Sequence, residues 1–158
     1  MKQWNRRKTM VLITVISLVF LVTVAIAGSM CTDAARATDF SRKNLMPCLQ
    51  YPFGTDWMGR DMFARTLKGL SLSVLIGTLA AAISAVIALV LGICAATLGR
   101  RTDGAITWVI DLIMGIPHML LLILISVAAG RGLKGVIIGV AFTHWTSLAR
   151  LIRAEVMQ

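Results

Sequence analysis

The sequence predicts an all-α integral membrane protein, a multi-span helical bundle with about four spans present. Three observations predict it. The chain of 158 residues is 58% hydrophobic, with a mean hydropathy of +0.83, whereas soluble domains run at roughly 45–50% apolar. The apolar residues fall in long uncharged runs, and a helix rising about 1.5 Å per residue crosses a hydrocarbon core of about 30 Å with roughly 20 of them. Lysine and arginine gather at the ends of these runs, where membrane anchors sit.

The first run, from Thr9 to Thr32, follows Lys2, Arg6, Arg7 and Lys8. It is longer than the roughly 7–15 residue core of a signal peptide, although Ala25-Ile26-Ala27 resembles a cleavage site. It reads as an uncleaved first helix that starts in the cytoplasm. Residues 33–68 are polar and form a loop of real size. Within it, Trp57 to Leu67 reads as an interfacial amphipathic helix capped by Asp56 or Thr55. Asp56 with Arg60 and Asp61 with Arg65 stand at the i,i+4 spacing of helical ion pairs.

The second run, Gly69 to Gly99, is long enough to cross with tilt. Its small residues Gly77, Ala81 and Ala85, then Gly92 and Ala96, form a seam on which a helix can pack closely in lipid. The turn Gly99-Arg100-Arg101-Thr102-Asp103-Gly104 leads to a third span, about Ala105 to Gly130. Gly115-Ile116-Pro117 breaks that span, because proline lacks a backbone donor and kinks a helix. After the turn at 130–135 comes a short fourth span, about Gly135 to Ala149, and an amphipathic tail from Arg150 to Gln158. Basic residues are spread evenly over the two sides of this topology, so the orientation rests on the basic flank of the first helix.

Composition narrows the function. The net charge is +9, from 16 Lys and Arg against 7 Asp and Glu. The basic residues form no concentrated face, so nucleic-acid binding is not expected. The chain has no Gly-x-x-x-x-Gly-Lys-Ser/Thr loop, no His-Glu-x-x-His and no Ser-His-Asp set. Catalysis is therefore not expected, nor a metal site or cofactor. Cys31 and Cys48 flank the loop and either pair or stay free thiols; Cys94 is a small packing residue.

Ionisable groups inside spans are costly and face a bundle interior or water. Asp111 either pairs with Arg100 or Arg101 near the interface or lines a substrate path. His118 is either a packing histidine or a ligand of that path, and His144 follows in the last span. Trp145 reads as an interfacial anchor. Met62, Met114 and Met119 read as gap fillers.

The most specific stretch is Pro52-Phe53-Gly54-Thr55-Asp56-Trp57-Met58-Gly59-Arg60-Asp61-Met62-Phe63-Ala64-Arg65. Its order, Pro-x-Gly-Thr-Asp-x-x-Gly-Arg-Asp-x-x-x-Arg, closely resembles the signature of peptide/nickel-class ABC importer permeases. The rest of residues 50–158 resembles the family in order: a Gly- and Ala-rich span, the Gly99-Arg100-Arg101 turn, Asp111 before Ile116-Pro117, and Trp145 before Ala149-Arg150-Leu151-Ile152-Arg153-Ala154-Glu155. Tyr51 stands where many members have His, and residues 31–50 match little.

The resemblance implies a bundle of the type I importer permease kind in the inner, or plasma, membrane. Residues 1–9 are then a cytoplasmic N-terminus and 10–30 the first transmembrane helix. Residues 31–68 are an extracytoplasmic loop carrying the signature, and 69–158 the N-terminal part of the permease transmembrane domain. It implies alternating access, with a second permease subunit as heterodimer partner, ATP-binding subunits that hydrolyse ATP, and an extracytoplasmic substrate-binding protein. Gly54, Thr55, Asp56, Gly59, Arg60, Asp61 and Arg65 are expected at the outer mouth, as a structural clamp centred on Asp56, Gly59, Arg60 and Asp61. Asp111, Pro117, His118 and His144 are expected along the path. Arg150, Arg153 and Glu155 are expected at the ATPase-coupling end. Peptide and nickel, free or chelated, both remain as substrate. The family's Glu-Ala-Ala-x-x-x-Gly motif is expected soon after Glu155, so the resemblance implies a longer permease. The other reading is a small four-span membrane scaffold or accessory protein.

Overall fold

The computed structural model describes residues 6–158; the expectation for residues 1–5, Lys2 among them, lies outside the described residues. Six α-helices follow one another: α1 (Arg6–Met30), α2 (Thr32–Arg36), α3 (Met62–Thr97), α4 (Arg100–Gly115), α5 (His118–Ala128) and α6 (Leu133–Val156). No strand is present among the described residues, and one 3-10 turn covers Phe40–Arg42. The all-α membrane architecture is therefore as the composition predicts. Three helices, α1, α3 and α6, are each long and apolar enough to cross a membrane. The pair α4 and α5, bent by 97° at its break, makes up to four if counted as one broken span.

Several boundaries differ from the sequence expectation. The helix expected over 57–67 begins only at Met62, and it runs without interruption into the second span as a 36-residue helix. Residues 56–61 turn instead, because Gly59 adopts a left-handed φ of +72° and the Gly59 N–H donates to the Asp56 carbonyl at 2.9 Å. The short fourth span and its amphipathic tail are one helix of 24 residues. An unbroken set of i→i−4 hydrogen bonds carries the apolar half into the basic half, since no Pro or Gly interrupts residues 140–156.

The chain divides into two compact units, Met1–Leu75 and Ile76–Gln158. In the first, α1 meets the start of α3 at Gly28. A Cβ there would lie 2.3 Å from the Leu67 carbonyl oxygen and 2.5 Å from Ser71 Cβ. Ser71 Oγ donates to the Ala25 carbonyl at 3.0 Å, and Lys68 Nζ to Thr32 Oγ1 at 2.8 Å.

In the second unit, α3 packs through Ala80, Ser84, Ala88, Gly92 and Ala95, all buried. The expected seam of Gly77, Ala81 and Ala85 is displaced by one residue and lies largely exposed; only Gly92 belongs to both rows. Ser84 Oγ donates to the Ala141 carbonyl at 2.8 Å, and a Cβ on Gly92 would meet the Ala149 carbonyl at 2.9 Å. Between α5 and α6 the sequence reading missed the pair Gly135 and Gly139, a small-xxx-small repeat that admits close backbone approach. A Cβ on Gly135 would lie 2.3 Å from the Ser126 and Gly130 carbonyls, and one on Gly139 2.5 Å from Ser126 Oγ. The core is formed by Ala88, Ile110, Trp145 and Ala149. Trp145 is only 3% exposed, so it is a core residue and not the expected interfacial anchor.

Candidate functional site

Three groups of predicted residues are brought together by the fold: a knot in the loop, a chamber at the α4–α5 elbow, and an ion-pair ladder between α4 and α6.

The knot is built on Asp56. Its Oδ1 accepts the backbone N–H groups of Met58 at 2.9 Å and Arg60 at 3.0 Å, an aspartate-capped turn. Its Oδ2 accepts from Arg60 Nε at 2.8 Å and Arg60 Nη2 at 2.7 Å, and from Arg65 Nη1 at 2.6 Å. The Asp56 side chain is 12% exposed. The Arg60 guanidinium donating to it, helped by the backbone N–H groups of Arg60 and Met58, outweighs the opposing effect of burial and holds its carboxyl at about 2, below the ordinary 3.8.

The expected pairing of Asp61 with Arg65 is corrected by this geometry. Arg65 reaches back to Asp56, and Asp61 caps α3 instead, its Oδ1 accepting from Phe63 N at 2.8 Å and Ala64 N at 3.3 Å. Asp61 rather than Asp56 or Thr55 is therefore the helix cap. Thr55 bridges Asp61 and residues 42–45: its Oγ1 donates to the Arg42 carbonyl and accepts from Leu45 N at 2.9 Å. Gly54 and Gly59 both have positive φ and lie against backbone, Gly59 under the Asp39 carbonyl.

Residues 39–51 wrap the signature. Asp39 N donates to the Met58 carbonyl at 3.2 Å and Asn44 N to the Asp56 carbonyl at 3.1 Å. Tyr51 is buried, and its hydroxyl accepts from Arg42 Nη1 at 2.5 Å while the guanidinium stands 5.9 Å from its ring centroid. Sequence reasoning missed this partnership, because Arg42 is nine residues away with no periodic relation to Tyr51. Hydrogen bonds from the Ser41 hydroxyl and N–H lower the Asp39 carboxyl below its usual value. Cys31 and Cys48 are free thiols.

The elbow is at Gly115-Ile116-Pro117. A chamber of about 460 Å³ opens there, lined by Ile113 to His118 and Leu121 and, from α6, by Thr143, His144, Thr146 and Ser147. His118 and His144 face each other edge to face with ring centroids 5.2 Å apart. His118 is exposed rather than packed. The predicted Pro117, His118 and His144 thus line one chamber, joined by Thr146 and Ser147, which the sequence did not single out. Among the described residues no group of three or more His, Cys, Asp or Glu side chains is placed to hold a metal ion.

The ladder corrects the expectation for Asp111, whose partner is Arg150 and not Arg100 or Arg101. One strand of the ladder joins Arg150 Nη2 to Asp111 Oδ1. The other joins Arg153 to Asp103 through two hydrogen bonds, Nε to Oδ1 and Nη2 to Oδ2, the latter at 2.6 Å. Such a bidentate fork is the favoured geometry of arginine with a carboxylate. Asp111 lies outside the chamber lining, and Glu155 is exposed.

Residues 88–158, which carry the elbow, the chamber and the ladder, match the family described as the inner membrane component of binding-protein-dependent transport systems. That stretch is what the chain shares with the permease family. The chain is 34% identical over 142 residues to the dipeptide transport system permease protein DppC of Bacillus subtilis, covering 89% of this chain and 44% of that relative. It is 32% identical over 158 residues to the oligopeptide transport system permease protein OppC of the same organism, covering 97% of this chain and 50% of the relative. The dipeptide transport system permease protein DppC of Lactococcus lactis is 31% identical over 126 residues, with 80% of this chain and 35% of the relative covered. The chain thus spans about half the length of the curated relatives it matches.

Proposed function

We propose that this chain contributes to the membrane pathway of an ABC importer for peptides. The observation that carries the proposal is the kinship of nearly the whole chain with dipeptide and oligopeptide permeases. In this reading a second permease subunit completes the pathway, partner ATPases drive alternating access, and an extracytoplasmic binding protein delivers the peptide to the 31–68 loop. The N-terminus is cytoplasmic.

In this reading each group has a part. The Asp56 knot keeps the loop in one shape at the outer mouth, with Gly54, Thr55, Gly59, Arg60, Asp61 and Arg65 as its other members. The elbow chamber is a segment of the path: it offers the hydroxyl of Ser147 and the rings of His118 and His144 to a polar backbone passing through an apolar medium. Asp111 acts through its ion pair with Arg150 rather than through the chamber. At the coupling end the ladder fixes the direction of α6, which leaves Glu155 free to meet an ATPase. Peptide is preferred to nickel because the named relatives are peptide permeases, and a bis-histidine pair alone is a sparse donor set for a bound metal.

The test compares a strain lacking the gene for this chain with its parent. Uptake of a radiolabelled dipeptide and of radioactive nickel is measured in both. The expected result is lost dipeptide uptake, restored by the gene, with nickel uptake unchanged. Lost nickel uptake with intact dipeptide uptake overturns the peptide reading, and no change in either favours the scaffold reading.

A further inference from the structure

A second cavity, of about 400 Å³, shares Ile113 with the elbow chamber but has an entirely apolar lining: Ile87 and Leu91 of α3, Ala105, Ile106, Val109 and Ile113 of α4, and Phe142 and Trp145 of α6. Ala105, Val109 and Ile113 are successive members of one i,i+4 row on α4, and such a row stays on one face of a helix. Continued one step toward the N-terminus, the row arrives at Arg101, beside Arg100. Both arginines are exposed, and among the described residues neither forms an ion pair, whereas the basic residues of α6 that face α4 are matched by Asp103 and Asp111. Trp108, on the next turn of α4, is 65% exposed, as befits a residue at the lipid headgroup level.

An apolar slot whose α4 wall leads, one helical turn beyond Ala105, to two unmatched cations is complementary to a molecule with a hydrocarbon tail and an anionic head. From Ala105 to Ile113 the slot runs for about 12 Å at 1.5 Å per residue, room for a substantial part of one acyl chain. We propose that this groove binds one acyl chain of an anionic glycerophospholipid, whose phosphate sits on Arg100 and Arg101. A wholly apolar protein helix in the groove would leave both guanidinium groups unmatched. A zwitterionic lipid would gain less, because its own ammonium competes with them.

The proposal is tested on the full chain in nanodiscs of phosphatidylcholine doped with phosphatidylglycerol bearing a photoactivatable acyl chain. Labelled residues are mapped by mass spectrometry. Labelling is expected at the groove residues of α3, α4 and α6, with equally doped photoactivatable phosphatidylcholine labelling them far less. Juxtamembrane basic residues are worth about 1 kcal/mol each toward anionic lipid, so R100Q/R101Q should cut groove labelling on the order of thirtyfold. Val109→Trp, which fills the slot and keeps both arginines, should abolish labelling inside it. Equal labelling by both lipids, unchanged in R100Q/R101Q, overturns the proposal in favour of ordinary annular lipid. So does an absence of groove labelling accompanied by disulfide cross-linking of a Val109→Cys variant to a second copy. Since the readout is lipid labelling, its failure is distinguishable from failure of the transport reading.

Discussion

Asp56 is the residue on which most of the loop depends, since two arginines and two backbone N–H groups converge on one carboxylate. Asp56→Asn keeps the shape and removes the charge, so both Arg60 and Arg65 lose their anion. The expected outcome is faster protease cleavage across residues 39–60 and dipeptide uptake reduced on the order of tenfold, whereas Asp61→Asn, which retains an acceptor for the α3 cap, should do less. The sign of the pH dependence follows from the direction of the shift. A carboxyl held at about 2 in the folded loop against an ordinary 3.8 contributes stability that is complete above the higher value. That contribution is lost as pH falls from about 4 through about 2. Hydrogen exchange of the loop amides should therefore be flat from pH 7 to 5, once corrected for intrinsic rates, and lose protection only in the acid window. Gly59→Ala adds a second check: its Cβ would stand 1.7 Å from the Asp39 carbonyl oxygen at a φ of +72°. The turn must open, and protease sensitivity at the loop should rise as in Asp56→Asn. The signature itself was legible, but its pairing was not. An i,i+4 acid and base suits a helix and an aspartate-capped turn equally, and Gly59 was the only local sign of the turn.

At the scale of elements, the packing of α5 on α6 turns on one serine and one glycine. Ser126 Oγ is buried and has no hydrogen-bond partner among the described residues. It lies where a Cβ on Gly139 would be, 2.5 Å away. Gly139→Ala should destabilise by about 1–3 kcal/mol through overpacking. Ser126→Ala should be neutral or stabilising by up to about 1 kcal/mol, because it removes an unsatisfied buried hydroxyl. Combined, the two should cost less than Gly139→Ala alone, in an unfolding assay of the protein in mixed micelles. The ladder between α4 and α6 also makes unequal demands. The Asp111 pair is 60% and 46% exposed, so Asp111→Asn should change stability by less than about 1 kcal/mol. Asp103→Asn should cost more, since its pair is less exposed and bidentate. The existence of the helices was legible from uncharged runs, and the break at Pro117 from proline chemistry. The packing rows were not. On α3 a row of small residues exists at nearly every angle, and only its neighbours decide that Ala80, Ser84 and Ala88 are the buried ones.

For the whole molecule, uncharged runs and a dense signature were enough to reach the membrane class and the permease family. Long-range partners such as Arg42 with Tyr51 or Arg150 with Asp111 carry no periodic signal, so the interior of each site became visible only in three dimensions. Orientation belongs to this scale too. With the N-terminus in the cytoplasm, a reporter fused after Lys43 should be active outside the membrane and silent inside; activity in the cytoplasm reverses the topology.

The elbow at Gly115-Ile116-Pro117 has a consequence for the life of the protein in the cell. Its 97° bend interrupts the backbone ladder, and His118, His144 and Ser147 are exposed among the described residues. Hydrocarbon cannot hydrate such groups, so water or another polypeptide must. In the proposed importer the bend would therefore act as a marker of incomplete assembly: a copy whose elbow is uncovered would present wet, polar surface within the bilayer, the kind of defect by which membrane quality control tells orphan subunits from assembled ones. Its half-life, measured after synthesis is stopped, should lengthen when the rest of the transporter is made alongside it.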